Sequence, residues 1–304
     1  METLLQQQDR SLGEGNPNII KVLAYHRIVD DSRLSEAHWS CVHIKRFRKH
    51  LELLDRWGFT TITFNDYLLY RQGQLNLPAK PVIITFDDGY ADTHRFAFPL
   101  LQEFGMKAAV FVLGDRKIKT NYWERTVGIP EVPLMDGQQI VELHEAGFEI
   151  GAHSMTHAKL TEISQGDAWQ EISRSRILLE ILLNDPVTVF SYPYGLVNRT
   201  LKSMVQDAGY ALACGVYTGP AVFGSDVHEI RRITIKSSAG TAAFAARMLT
   251  PFQHYAWLRW KIAHALKNGK HSDREIRRIL AEKRKREAKR SPLFEAVEEH
   301  GSEK

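Results

Sequence analysis

Between Ile19 and about Ile235, short apolar runs alternate with longer stretches in which apolar residues recur every three or four positions. Runs of the first kind predict strands at 19–25, 60–63, 82–86, 108–113, 148–152, 188–192, 211–215 and 229–235. Stretches of the second kind predict helices at 44–57, 65–71, 93–104, 137–146, 167–183 and 198–208. Four of these helices close on a glycine that leads into the next strand: Trp57-Gly58-Phe59, Phe104-Gly105-Met106, Ala146-Gly147-Phe148 and Ala208-Gly209-Tyr210. Gly supplies the left-handed residue that ends a helix. Strand and helix taking turns in this way imply an α/β fold, a distorted parallel (β/α) barrel of seven or eight strands. Three segments follow from the pattern: a flexible N-terminal stretch over 1–18, the barrel domain over 19–250, and a helical basic extension over 251–304.

The length of 304 residues suits one such barrel with an appendage. Charge separates the two parts. Arg259 to Arg290 holds 13 Lys/Arg against 4 Asp/Glu, a surplus of nine, so with a net charge of +4 for the whole chain the remainder is slightly acidic. Aromatic residues beside cations in Phe252-Gln253-His254-Tyr255-Ala256-Trp257-Leu258-Arg259-Trp260 suit peripheral contact with an anionic membrane. They equally suit a helix that packs its Trp residues on the barrel and exposes a charged face. A nucleic-acid partner ranks third, because a charge run alone specifies nothing. The N-terminus lacks the basic flank and apolar run of a secretory signal, and no stretch is apolar enough to span a bilayer. The expectation is a cytoplasmic protein, peripheral to the inner membrane face if the tail binds lipid. Cys41 and Cys214 are far apart without metal-type spacing and read as buried thiols.

In a parallel barrel, chemistry sits where strands end at the C-terminal edge. Four such ends carry polar residues. After Val82-Ile83-Ile84-Thr85-Phe86 comes Asp87-Asp88-Gly89. Adjacent residues point apart, so one carboxylate can hold a metal while its neighbour acts as a base; the plain alternative is an Asx turn capping the next helix. After the run at 148–152 comes His153-Ser154-Met155-Thr156-His157, two His at i and i+4 that grip one ion if they lie on a helical turn. Two unrelated surface His, in a chain with 13, are the plain alternative. The run at 188–192 enters Pro193-Tyr194-Gly195, a turn that can free the Tyr194 N–H for an oxyanion; the plain alternative, favoured for this segment alone, is a simple turn with a buried Tyr. The first run ends at His26, whose imidazole can protonate a leaving group; for a lone His, one satisfied in a loop is the plainer reading.

Taken together, Thr85-Phe86-Asp87-Asp88-Gly89, His153-Ser154-Met155-Thr156-His157 and Tyr192-Pro193-Tyr194-Gly195 resemble the signature motifs of the polysaccharide deacetylase (NodB-homology) family. The resemblance spans about Ile19 to Ile235. It implies the distorted barrel, Asp87 as base, and Asp88, His153 and His157 as metal ligands. Zinc is the first choice for two imidazoles and a carboxylate, with cobalt, nickel or manganese suited to the same ligands. Two features depart from the common pattern: Ser191-Tyr192 stand where an Arg commonly precedes the Pro, and no late Leu-x-His motif supplies the acid. Leu23-Ala24-Tyr25-His26-Arg27 instead resembles the permuted branch that includes poly-N-acetylglucosamine deacetylases, which makes His26 the acid. Glu229-Ile230-Arg231-Arg232-Ile233 resembles that branch's late arginine strand, with Arg232 orienting Asp87; alternation allows only one of the two arginines to face inward.

The resemblance implies metal-dependent removal of an acetyl group from an N-acetylated sugar of a saccharide substrate, of the exopolysaccharide or lipid-linked kind. Two rival expectations stand beside it: a metal-dependent amidase acting on a small non-sugar C–N bond, and a degenerate carbohydrate-binding barrel without turnover.

Overall fold

The run Pro81-Val-Ile-Ile-Thr-Phe86 is buried at every position, which a strand tolerates only at the centre of a sheet covered on both faces. In the computed structural model, which describes residues 20–127, 130–215 and 226–252 with residues 254–256, 258, 259 and 262, it is one of ten strands. In chain order these are β1 (Lys21–Tyr25), β2 (Arg27–Val29), β3 (Cys41–His43), β4 (Thr60–Thr61), β5 (Pro81–Phe86), β6 (Ala109–Val112), β7 (Glu149–Ala152), β8 (Val189–Ser191), β9 (Leu212–Cys214) and β10 (Ile233–Thr234). The helices are α1 (Ser32–Ala37), α2 (Ile44–Arg56), α3 (Phe64–Arg71), α4 (Phe98–Glu103), α5 (Gly137–Glu145), α6 (Gln165–Leu183), α7 (Arg199–Asp207) and α8 (Thr241–Leu249). Met1–Thr250 and Pro251–Lys304 form two separate units. The N-terminal stretch over 1–18 lies outside the described residues, as does the basic run from Arg259 to Arg290 apart from Arg259 and Ile262. Residues 252, 254–256, 258, 259 and 262 are helical, and no helix among the described residues is long and apolar enough to cross a membrane.

The main sheet has eight strands, all parallel, in the order β10-β1-β5-β6-β7-β8-β9, with β4 beside the N-terminal end of β5. This is the distorted parallel barrel that the alternation of runs implies. Its two ends meet through one segment. Near Val227 to Ile230 that segment bonds β9, with Ala213 N–H donating to Val227 O (2.8 Å) and Gly215 N–H to Ile230 O (2.9 Å). At its far end it becomes β10, paired with β1 through Leu23 and Ile233.

Alternation along the strands sorts side chains into two cores. Leu23, Val82, Ile84, Phe86, Val110, Ile150 and Phe190 pack against Leu51 and Leu54 of α2, Ile140 of α5, Ile172 of α6 and Phe244 of α8. Val22, Ile83, Ala109, Phe111, Val189, Leu212, Cys214 and Ile230 form the inner core, completed by Phe64 and Tyr67 of α3. Gly151 belongs to this inner set for lack of room, since a Cβ there would sit 2.5 Å from the Phe111 ring. The four glycines that close helices all have left-handed φ, from +62° to +88°.

Three parts of the fold differ from the pattern. β2 and β3 pair as a separate two-stranded parallel sheet around α1, in runs too short for periodicity to register. The stretch at 93–104 divides into a π-helical turn, Thr93–Ala97, and α4. α3 starts at Phe64, one residue earlier than expected, because Thr63 and Asp66 form a reciprocal capping box.

At the N-terminal end of the barrel Glu149 accepts a hydrogen bond from the Phe64 N–H (2.6 Å). Burial and the nearby Asp66 carboxylate push its carboxyl from the usual 4.5 up to about 8. An acid whose pKa is higher in the folded chain than in the unfolded one favours the fold while protonated. Its contribution therefore falls as pH rises from about 4.5 to about 8. Glu149→Gln keeps an oxygen for Phe64 without the charge, and it is expected to unfold at higher temperature than the parent chain above that window. Thermal melts across the window measure this; a parent chain whose stability is flat there would exclude it.

Candidate active site

β1 and β5 end side by side, with Tyr25 opposite Phe86, so the next residues, His26 and Asp87, emerge together at the C-terminal edge. The Asp87 N–H still donates to Tyr25 O (3.0 Å), which carries the ladder one residue past the strand. Asp87 continues the inward parity of Ile83 and Thr85. There it meets Arg232, which projects inward from the segment joining β9 to β1. Arg232 Nη1 and Nη2 donate to the two Asp87 carboxylate oxygens at 2.7 Å each. The remaining guanidinium hydrogens go to Thr85 Oγ1 (3.0 Å), Ser191 Oγ (2.9 Å) and Gly215 O (3.1 Å). All five guanidinium donors are therefore used, and the group lies 5.4 Å from the centre of the Phe111 ring. Arg231, on the other face, stays partly exposed near Glu229 (3.7 Å). Burial alone would push the Asp87 carboxyl up; the Arg232 charge and hydrogen bonds outweigh it and hold it below the usual carboxylate range.

Asp88 turns the other way. It has φ of +73°, and Gly89 follows at +74° with its α-carbon face against Val112, where a Cβ would lie 3.0 Å from Val112 Cγ1. The buried Asp88 Oδ1 lies 3.2 Å from His153 Nε2 and 3.2 Å from His157 Nε2. Together these three residues offer ligand atoms within 4.8 Å of one another, the one such cluster of metal-ligating side chains among the described residues.

The His pair does not lie on a helical turn, as its spacing suggested. His153 extends β7, its N–H donating to Val112 O (2.8 Å), and the chain then bends through Ser154 at φ +63° to His157 at φ +63°. Ser154 Oγ accepts from the His157 N–H (3.0 Å), and Gly114 N–H donates to Ser154 O (2.9 Å). From outside, Glu171 of α6 holds the bend by accepting from both the N–H and the hydroxyl of Thr156 (2.9 and 2.8 Å). Among the described residues, five non-glycine residues have left-handed φ, and four of them, Asp88, Ser154, His157 and Tyr194, are here. Each such residue costs about 1–3 kcal/mol, which concentrates backbone strain at one place.

The donor set suits a cation. His153 Nδ1 lies 2.7 Å from the Ser191 carbonyl, which can only accept, so Nδ1 carries the ring hydrogen. The Nε2 atom then faces a carboxylate oxygen, an arrangement that is favourable only with positive charge between them, either a proton or a metal ion. Two imidazoles and one carboxylate leave positions open for water and substrate. Burial opposes ionisation of Asp88, but its hydrogen bonds with His153 and His157 reverse this and hold the carboxyl well below its usual range.

Two further groups border the triad. Tyr194 lies in the Pro193–Gly195 turn at φ +58°, its ring set edge-on to His157 at 4.6 Å. His26, at the end of β1, packs edge-on against Trp39 (5.1 Å). Four supporting groups had no role assigned from the sequence: Ser191, Thr85, Glu171, and Trp123, whose indole stacks on His157 at 4.3 Å. Ser191 and Thr85 stand in the sequence only as members of the runs that lead into Pro193 and Asp87. Trp123 comes from a short 3-10 helix, Tyr122–Val127, too brief for periodicity to register.

Residues 74–213 match the family described as polysaccharide deacetylase. YxkH of Bacillus subtilis (strain 168), named as a polysaccharide deacetylase, is 26% identical over 230 residues, 76% of each chain. The poly-beta-1,6-N-acetyl-D-glucosamine N-deacetylase of Staphylococcus epidermidis is 22% identical over 204 residues, covering 64% of this chain and 68% of that one. Two solved structures share the fold. The Streptococcus pyogenes deacetylase PplD, in complex with acetate, aligns with a TM-score of 0.65 at 22% identity over 75% of this chain and 97% of its own. IcaB from Ammonifex degensii aligns with a TM-score of 0.63 at 22% identity over 78% and 98%.

Removing Arg232 leaves the buried Asp87 charge unpaired. Arg232→Met is expected to destabilise the chain by about 3–5 kcal/mol. The double variant Asp87→Asn/Arg232→Met should cost clearly less than the sum of the two single changes. Urea denaturation of the four proteins measures the cycle, and strict additivity would show that the pair is not coupled.

Proposed function

We propose that this chain, whose residues 74–213 match the family described as polysaccharide deacetylase, is a metal-dependent deacetylase of N-acetylated hexosamine units in an oligo- or polysaccharide, a hydrolase acting on a C–N bond. The observation that carries the reading is the convergence of Asp88, His153 and His157, with His153 Nδ1 committed to the Ser191 carbonyl. The poly-N-acetylglucosamine activity named for the staphylococcal relative supports the sugar class. A divalent ion held by these three residues, zinc by preference for this donor set, would polarise the acyl carbonyl and acidify a water beside it.

The chain's own residues supply the rest. Asp87, kept ionised by Arg232, retains a lone pair on each oxygen beyond those facing the guanidinium, and it takes the proton of the attacking water. Arg232 also restricts the carboxylate to one orientation. The Tyr194 N–H, in its left-handed turn beside His157, donates to the developing oxyanion. His26, one strand over from Asp87, gives a proton to the departing amine, which is a poor leaving group without it.

Asp87→Asn should lower kcat by about 10²–10⁴-fold while the purified protein keeps its metal. His153→Ala should lose both. His26→Gln should lower kcat with metal retained. Metal analysis together with acetate release from β-linked N-acetylhexosamine oligomers reads all three. Full activity of Asp87→Asn would remove it as the base, and metal retained by His153→Ala would remove that ligand. Release of acetate from sugars but no hydrolysis of simple cyclic amides separates this reading from a small-molecule amidase.

A further inference from the structure

The first turn of the 13-residue helix α2 carries Lys45 and Arg46 and no acid. A helix start favours the opposite, because its unbonded N–H groups and its dipole attract negative charge and repel cations. Nothing nearby offsets the arrangement. Arg46 is partly buried, yet among the described residues its guanidinium has neither an ion-pair partner nor a hydrogen-bond acceptor.

Arg46 lines a cavity of about 310 Å³, a size that small ligands occupy. The other walls are rich in donors. His43 caps α2 by accepting the Lys45 N–H at Nδ1 (3.1 Å), so in the neutral ring the hydrogen sits on Nε2, which has no partner among the described residues. Ser32 and Ser35 of α1 face the cavity from one side, and Ser237 and Ser238, ahead of α8, from another. Ser35 decides the reading. It is only 6% exposed, and its hydroxyl makes no hydrogen bond to any described residue. A hydroxyl taken from water without a partner is a standing cost, which a ligand accepting its hydrogen removes. The one acid of the lining, Glu36, is exposed and forms no ion pair with Arg46 or His43. None of Asp87, Asp88, His153 and His157 lines this cavity, so it is separate from the triad.

We propose that this cavity is a phosphate site, in which Arg46, His43 Nε2 and the Ser35 hydroxyl bind the oxygens at the start of α2. The positive end of the helix, an unpaired guanidinium and a buried unpaired hydroxyl call for the same thing, an anion that accepts several hydrogen bonds. The donors come from three segments of the chain rather than from one plane, which suits a tetrahedral anion better than a flat carboxylate. Two carriers share this chemistry: inorganic phosphate and the phosphodiester of a lipid headgroup. The site does not rest on the deacetylase reading.

The test titrates the full metal-loaded chain with inorganic phosphate in calorimetry, and separately measures its flotation with phosphatidylglycerol vesicles. Arg46→Gln should weaken binding by at least about tenfold, and Ser35→Ala by about threefold. Glu36→Gln, which removes the opposing charge, should tighten it by about threefold. Arg33→Gln, on α1 but outside the lining, should follow the parent chain. An Arg46-dependent heat with inorganic phosphate supports the site with free phosphate as its ligand. Arg46-dependent flotation without that heat supports it with the headgroup as ligand. Phosphate and vesicle binding that are absent, or equal in the parent and Arg46→Gln, would overturn the site; equal binding would place the anion elsewhere, at the metal or on the basic tail. Should Arg46→Gln melt before titration, Glu36→Gln decides, and an affinity unchanged from the parent would overturn the proposal.

Discussion

The buried pair between Asp87 and Arg232 is the interaction on which the site depends. A carboxylate and a guanidinium, 2% and 0% exposed, have left water. Their mutual attraction covers that loss only when every remaining donor and acceptor finds a partner. Arg232 meets the condition with five hydrogen bonds drawn from β5, from β8 and from the end of β9. One side chain thereby ties together three strands of the sheet. The polar layer it forms sits directly above the apolar layer of Ile83, Phe111, Val189 and Cys214. Asp87 can then remain charged although it is buried.

Much of this was legible in the sequence wherever the controlling chemistry is local. The helix-closing glycines at 58, 105, 147 and 209 all adopt the left-handed backbone their position implies. Apolar runs became strands, with ends shifted by a residue or two where a cap such as Thr63 takes over. The illegible parts depend on contacts between distant segments. The spacing of His153 and His157 fits a helical turn and an αL bend equally well. The choice is made by Gly114 and Ser154 bonding across two loops and by Glu171 reaching in from α6. Ser191 is the clearest case. In sequence it looks like the loss of an arginine that commonly precedes the proline, whereas in the fold a small residue there makes room for the guanidinium of Arg232 and gives it a hydroxyl.

Strain and support are paired throughout the site. Four residues in left-handed conformations, none of them glycine, surround the position where a metal ion fits. Each is adjacent to a restraint: Gly89 packed on Val112, Ser154 bonded to Gly114, Thr156 held by Glu171, and Tyr194 fixed by the Pro193 turn. Left-handed residues aim successive side chains in directions a regular strand cannot. That allows Asp87 to meet Arg232 while Asp88, its neighbour in sequence, meets His153 and His157.

The segment that stitches β9 to β1 has a consequence for the chain as it is made. Asp87 and Arg232 are separated by 145 residues, so synthesis from the N-terminus delivers the carboxylate long before its counter-charge. Until the last strand of the ring docks, the floor of the site holds an acid whose desolvation nothing offsets, and the sheet has two open edges. Closure and charge neutralisation are therefore a single late event. A nascent barrel interrupted between His157 and that strand contains Asp88, His153 and His157 but lacks the partner that lets the Asp87 carboxylate be buried as an anion.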